Sequence, residues 1–153
     1  MAFGQETLAV TPLQMAMVAS TVANNGVAME PQVVERVVDS SGKTIVRVRP
    51  RELRRVMSRR TADEITSMMV AAVNDGTGGA AALPGIPVAG KTGTAETGNS
   101  GINTTWFICF APAYHPQVAV AVTLENQHGF GGTTAAPIAK LLMQAVLSPR
   151  SNR

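Results

Sequence analysis

The chain has 153 residues, which is a usual size for one domain and enough to bury one core. Hydrophobic residues make up 45% and charged residues 15% of it, with 14 glycines and 9 prolines, and this composition excludes a disordered or fibrous protein. The formal net charge of +3 is mild, and no stretch reaches the ~18 apolar residues of a membrane span.

A first helix is predicted from residue 12. Thr11 is a suitable N-cap, Pro12 fits the first helical position and Gln14 completes a capping box. An apolar stripe follows at helical spacing: Met15, Val18, Ala19 and Val22. The segment Asn-Asn-Gly at 24–26 supplies a left-handed stop.

Residues 27–48 are predicted to contain a hairpin that lies apart from the main sheet. β-Branched runs at 33–38 and 44–48 flank a turn at 39–42. We interpret this hairpin as an insertion, and a basic connector, 49–60, follows it. The arginines of this region are Arg47, Arg49, Arg51, Arg54, Arg55, Arg59 and Arg60. Because no aromatic residue interleaves with them and Glu52 lies among them, a solvated segment is favoured over a nucleic-acid surface.

A second helix is predicted from a capping box of Thr61 and Glu64 up to Gly76. Its apolar stripe consists of Ile65, Met68, Met69, Ala72 and Val73. The glycine-rich segment after it, 76–79, is interpreted as a loose connection to the next element.

Three strands are predicted next, at 88–95, 105–110 and 118–124, and the last two should be antiparallel neighbours. A C-terminal helix follows, before a tail at 148–153. The side chains predicted on one side of this helix are Ile138, Leu141, Leu142, Ala145 and Val146. The predicted fold class is therefore α+β, an antiparallel sheet with packed helices.

The triplet Lys91, Thr92, Gly93 in the first of these strands is a weak motif by itself, but its surroundings are specific. It precedes two strands and a terminal helix, as described for serine enzymes that act on penicillins and peptidoglycan. Other matching segments follow in family order: Phe3–Gln5; Val10–Ala16 with Thr-Pro-Leu-Gln; Trp106, Phe107 and Phe110–Pro112; Gly131, Gly132 and Ala135–Pro137. On these residues the chain resembles the penicillin-binding proteins, and the resemblance implies the C-terminal part of the penicillin-binding protein and serine β-lactamase-like fold.

The strand has chemistry suited to an extended peptide that ends in a carboxylate. An edge backbone can pair with such a peptide, and the cationic Lys91 can attract the carboxylate. The resemblance implies a stem-peptide D-Ala-D-Ala terminus or a β-lactam as ligand. It further implies carboxylate-binding hydroxyls on Thr92 and Thr94, close approach at Gly93, and an oxyanion-hole donor in the backbone N–H of Thr94.

The sequence departs from the family pattern at the nucleophile. The family needs a Ser-x-x-Lys and a Ser-x-Asn motif, and the chain has no Ser-x-Asn. Its single Ser-x-x-Lys string, Ser40 to Lys43, falls in the predicted hairpin turn and is interpreted as coincidence. A phosphate-loop interpretation of Gly42–Thr44 fails because Val37 occupies the position of the motif's first glycine.

We therefore expect residues 1–153 to be the C-terminal half of a transpeptidase domain, with the nucleophile serine absent from this chain. The fragment alone should be inactive. The missing N-terminal half, or self-association, should cover a face of the sheet that would otherwise be bare and apolar.

No cofactor, metal or nucleic acid is expected. The chain has one cysteine, Cys109, in an apolar run, so it can form no internal disulfide, and burial is expected for its thiol. His115 and His128 lie in predicted turns or loops without ligand spacing.

The leading functional hypothesis is a fragment of a peptidoglycan D,D-transpeptidase. A β-lactamase or β-lactam sensor of the same fold and a non-catalytic binding module remain as alternatives; the Thr-Pro-Leu-Gln helix and the Ala-Ala-Pro segment favour the transpeptidase. The resemblance implies an extracytoplasmic protein, anchored to the membrane through a segment outside this chain.

Overall fold

The computed structural model describes residues 8–98 and 100–148, which form an α+β fold. Its helices are α1 (Pro12–Ala23), α2 (Arg59–Asn74) and α3 (Ala135–Leu147), with a short 3-10 turn at Gly79–Ala81. Its strands are β1 (Val27–Met29), β2 (Arg36–Val38), β3 (Thr44–Arg47), β4 (Glu52–Arg55), β5 (Ala89–Glu96), β6 (Asn103–Ala111) and β7 (Val118–Gln127). None of the described helices is long and apolar enough to cross a bilayer.

The main sheet consists of β5, β6 and β7 in that order, and both pairings are antiparallel. All three strands were predicted, and the antiparallel pairing of the last two is confirmed. Gly93 of β5 lies opposite Trp106 of β6, which in turn lies opposite Thr123 of β7. Within the described residues β5 therefore has no strand on its second side.

Each face of the main sheet carries a helix. Alternate β6 side chains point to opposite faces: Phe107 packs in one cluster with Met143 of α3, whereas Phe110 packs in another with Ala19 of α1. The expectation of a bare sheet face was therefore wrong, because α1 folds back onto that face. Several large apolar side chains remain exposed on the outer sides of the helices and on the hairpin.

Helix α1 begins as the sequence predicts. The side chain of Thr11 accepts a hydrogen bond from the Gln14 N–H at 3.2 Å, and the Gln14 side chain accepts one from the Thr11 N–H at 2.8 Å. The chain leaves the helix through Asn25 and Gly26, whose φ angles are 54° and 84°. The predicted stripe is only partly buried, since the Val18 side chain is 49% exposed.

The predicted hairpin is confirmed, and β2 and β3 form a two-stranded sheet of their own. Its first strand begins at Arg36 and not at Val33. In the turn, the Asp39 carboxylate accepts hydrogen bonds from the Ser41 hydroxyl and from the N–H groups of Lys43 and Ser41, and these bonds, the hydroxyl's first, lower the pKa of that carboxyl. Gly42 follows with a φ of 85°, which explains the glycine.

Strands β1 and β4 form a further two-stranded sheet that the sequence analysis did not predict. Val27 pairs with Arg55, so part of the segment interpreted as a basic connector is ordered backbone. The sequence Glu-Leu-Arg-Arg has little strand propensity, and only the partner strand makes it extended.

The start of α2 differs from the prediction. Its N-cap is Ser58, whose side chain accepts a hydrogen bond from the Thr61 N–H at 3.0 Å, so Thr61 lies within the first turn and caps nothing. The predicted apolar stripe is correct at Met69 and Val73, which are buried, but Met68 is 63% exposed.

Helix α3 buries a different face from the one its large aliphatic residues suggest. The buried residues are Ala135, Ala136, Ala139 and Met143. The predicted stripe of Ile138, Leu141, Leu142, Ala145 and Val146 is exposed. The small alanines allow the helix backbone to approach the sheet closely, and close packing against the sheet selects this face.

Candidate active site

The candidate site is built on β5, the edge strand of the main sheet. Lys91 lies on this strand with an exposed side chain, and its Nζ donates a hydrogen bond of 2.7 Å to the backbone carbonyl of Thr92. The ammonium is therefore held close to the strand's backbone.

The same hydrogen bond indicates which backbone groups face the open side of β5. In an antiparallel strand the N–H and C=O of one residue point the same way, and the direction alternates along the strand. The Thr92 carbonyl is reached by a side chain and so points away from β6. Two residues further on, the N–H and C=O of Thr94 should point to the same open edge.

The side chains of Thr92 and Thr94 lie on the sheet face opposite to that of Lys91, because side chains alternate along a strand. The Thr92 hydroxyl lies 2.8 Å from the hydroxyl of Thr77, in the loop after α2. The Thr94 hydroxyl accepts a hydrogen bond of 3.3 Å from the N–H of Gly131. Two loops thus hold the two hydroxyls.

Glycines let these loops and the neighbouring strand approach β5 closely. A Cβ on Gly93 would lie 3.1 Å from the Cβ of Trp106, and one on Gly90 would lie 2.5 Å from the ring of Phe107. A Cβ on Gly131 would overlap the Trp106 carbonyl oxygen and lie 2.5 Å from that of Gly93. Gly90 and Gly131 are therefore required by packing, whereas at Gly93 a side chain would fit only if Trp106 moved by a few tenths of an ångström.

The structure brings the four predicted site residues, Lys91, Thr92, Gly93 and Thr94, onto one strand and adds two that the sequence analysis missed. Thr77 and Gly131 contact the side chains of Thr92 and Thr94. The glycine-rich run around Thr77 was the available signal, since clustered glycines often mark a close approach of backbone.

The Ser-x-x-Lys string at Ser40–Lys43 lies in the turn of the β2–β3 hairpin, as predicted. Ser40 is exposed there. It belongs to a different sheet from β5 and does not begin a buried helix, and no described side chain bonds to its hydroxyl as a base would.

The remaining candidates are not brought to β5. Cys109 is buried, and burial raises the pKa of its thiol to about 12, which makes it a poor nucleophile. His115 and His128 are exposed in separate segments. In residues 8–98 and 100–148 no three His, Cys, Asp or Glu side chains group as metal ligands would.

A Lys-Thr-Gly edge strand in an antiparallel sheet with helices on both faces is the arrangement expected of penicillin-binding proteins. The family described as "Penicillin binding protein transpeptidase domain" matches residues 1–144. The chain belongs to this family. One matching segment of the sequence analysis, Phe3–Gln5, lies outside the residues that the structure describes.

Two relatives are similar to this chain over nearly its whole length. The peptidoglycan D,D-transpeptidase PbpA of Mycolicibacterium smegmatis is 43% identical over 151 residues, which cover 94% of this chain and 30% of that protein. Stage V sporulation protein D of Bacillus subtilis is 35% identical over 166 residues, covering 99% of this chain and 26% of that protein. The chain therefore spans less than a third of these relatives' length.

Solved structures agree with the fold. Penicillin-binding protein A of Mycobacterium tuberculosis, as a ceftriaxone acyl-enzyme complex, superposes with a TM-score of 0.85 at 38% identity, covering 95% of this chain and 34% of that one. A D,D-transpeptidase domain from Eggerthella lenta superposes with a TM-score of 0.78 at 40% identity, covering 89% of this chain and 32% of that one. The predicted fold class is confirmed.

Proposed function

We propose that this chain is the part of a peptidoglycan D,D-transpeptidase that binds the carboxylate end of the donor stem peptide, while another segment of the longer protein supplies the serine nucleophile. The observation that carries the proposal is the edge of β5 that pairs with no strand among the described residues, because the exposed ammonium of Lys91 lies at this edge and the hydroxyls of Thr92 and Thr94 lie on the same strand. An extended peptide ending in a carboxylate fits this combination.

In the proposed reaction the serine Oγ attacks the carbonyl carbon between the two D-alanines. The carbonyl oxygen becomes an oxyanion, and the N–H of Thr94 at the open edge would donate to it, together with the N–H of the serine itself. The C–N bond then breaks, the proton of the serine hydroxyl passes to the nitrogen, and the terminal D-alanine leaves. An acceptor amine next attacks the acyl carbon, the ester C–O bond breaks, and the proton that the amine loses returns to the serine oxygen. Lys91 would hold the terminal carboxylate through these steps.

Structures of a relative support β-lactams as substrate mimics. Penicillin-binding protein A of M. tuberculosis is known as acyl-enzyme complexes with imipenem and with penicillin G, and its structure superposes on this chain with TM-scores of 0.84 and 0.83. We propose that the longer protein containing this chain is acylated in the same way, and that it acts outside the cytoplasmic membrane, where peptidoglycan is crosslinked.

The test is the intact mass of the protein after incubation with excess penicillin. We expect no adduct on the 153-residue chain and a stoichiometric adduct on the longer protein that contains it. In the longer protein, Lys91→Ala should slow acylation strongly, whereas the matched control Lys140→Ala, on α3, should not. An adduct on the short chain would show that it contains a nucleophile, and Ser40→Ala would then be the first variant to make.

The lifetime of the adduct separates a transpeptidase from a β-lactamase of the same fold. We expect the adduct on the longer protein to persist over hours, as for an enzyme that hydrolyses its acyl intermediate slowly. Release of the drug within seconds would instead show a β-lactamase and refute the transpeptidase assignment.

A further inference from the structure

We propose that Thr77 is a positioning residue of the carboxylate subsite, which orients the hydroxyl of Thr92 as a hydrogen-bond donor towards the substrate carboxylate. This inference rests on the proposed function of β5. It assigns a role to a residue of the loop after α2, 15 positions before Thr92 in the chain, whose hydroxyl lies 2.8 Å from that of Thr92.

The loop that carries Thr77 is held firmly over β5. On one side, a Cβ on Gly132 would overlap the Thr77 carbonyl oxygen, so the segment before α3 lies directly against the loop. On the other side, the Gly78 N–H donates 2.9 Å to the Ala72 carbonyl, and a Cβ on Gly78 would lie 3.3 Å from the ring of Phe107. The loop is clamped between two backbone contacts, which fixes the hydroxyl it presents.

Either hydroxyl of the Thr77–Thr92 pair can donate, and a comparison with Thr94 favours donation from Thr77. The Gly131 N–H can only donate, so the Thr94 hydroxyl accepts from it and its own proton remains free. If Thr77 donates to Thr92 in the same way, the Thr92 proton also remains free. Two adjacent hydroxyls on one face of β5 would then both offer protons to a single carboxylate.

The opposite direction is unfavourable once the carboxylate is bound. If Thr92 donated to Thr77, the lone pairs of Thr92 would face a negative charge. Without a hydroxyl at position 77, no neighbouring donor occupies a lone pair of Thr92, and the Thr92 hydroxyl can rotate away from the ligand. The hydroxyl pair thus converts a freely rotating group into an oriented donor, and a chain of two hydroxyls polarises in the same sense.

The experiment is a titration of the isotope-labelled 153-residue chain with N-acetyl-D-alanyl-D-alanine, followed by the backbone amide signals of Gly93 and Thr94. We expect saturable shifts in the wild type and none with the ligand's C-terminal amide, which lacks the carboxylate. Thr77→Val, which keeps the shape and removes the hydroxyl, should raise the Kd about three- to tenfold, the range set by the net contribution of one hydrogen bond.

Two further variants separate positioning from packing. Thr77→Ser keeps the hydroxyl and should stay within about twofold of the wild-type Kd, the usual effect of losing one exposed methyl group. The control is Thr61→Val, on α2. It removes a hydroxyl that lies 2.8 Å from the hydroxyl of the N-cap Ser58, far from β5 in the chain, and should leave the Kd unchanged.

Each result has one meaning. Equal Kd values for the wild type and Thr77→Val would overturn the role of Thr77 and leave the proposed function standing. Loss of binding in both Thr77→Val and Thr77→Ser would show that the methyl group or the loop shape matters and not the hydroxyl, and would also overturn it. No saturable binding by the wild type would refute the proposed substrate site itself, and this inference with it.

Discussion

Replacement of Gly131 by alanine should destabilise the protein and displace the loop from the candidate site. Gly131 belongs to the segment before α3 and is buried against the paired strands β5 and β6. A methyl group there would meet the carbonyl oxygens of Trp106 and Gly93, with the Gly93 nitrogen at 3.1 Å. All three are backbone atoms held by sheet pairing, so no side chain can rotate to make room.

The loss of unfolding free energy in Gly131→Ala can be estimated from the atoms that the new methyl group would meet. Overpacking in a well-packed interior costs about 1–3 kcal/mol when side chains can adjust, and the upper end applies here because the obstructing atoms are backbone. A loss of about 3 kcal/mol corresponds to a decrease in Tm of about 6–12 °C for a chain of this size. The loop would also carry its N–H away from the Thr94 hydroxyl.

The assay is urea unfolding of wild type and variant, with Gly79→Ala as the matched control. Gly79 has an ordinary backbone conformation, and a Cβ there would have its nearest contact at 3.6 Å, so the control should unfold within about 0.5 kcal/mol of the wild type. The amide signal of Thr94 should shift in Gly131→Ala and not in Gly79→Ala. A Gly131→Ala variant as stable as the wild type would refute the close approach on which the site geometry depends.

Three other predictions concern the core and the helices. Burial raises the pKa of Cys109 from 9.0 to about 12, so its protonated thiol stabilises the fold below pH 9. This contribution should fall between pH 9 and 12, and the difference in urea midpoint between wild type and Cys109→Ala should shrink over that range. Ser58→Ala should cost about 1 kcal/mol of unfolding free energy, measured in urea, whereas Thr61→Ala should cost much less, and equal costs would contradict the capping assignment. Met143→Ala should lower stability by about 2–5 kcal/mol in the same assay, but Leu141→Ala, at a 65% exposed position, should lower it by less than 1; the reverse order would show that α3 buries its other face.

The sequence by itself determined the elements whose signals are local. The Thr-Pro-Leu-Gln cap places the start of α1, the turn at 39–42 places the hairpin, and alternation and β-branched residues place β6 and β7. The family could be inferred as well, because its motifs are short strings in a fixed order. These features need no knowledge of which segments meet in space.

The tertiary structure decided the features that depend on a partner. The pairing of β1 with β4 makes a strand of a charged segment without strand propensity, and α3 turns its alanines inward because small residues allow close packing on the sheet. The contact between Thr77 and Thr92 joins residues 15 positions apart in the chain. It depends on glycines near Thr77 that leave room for other backbone segments, and only the folded structure shows which segments those are. Patterns along the chain record propensity and periodicity, whereas the choice of a buried face or a hydrogen-bond partner is made by packing between distant segments.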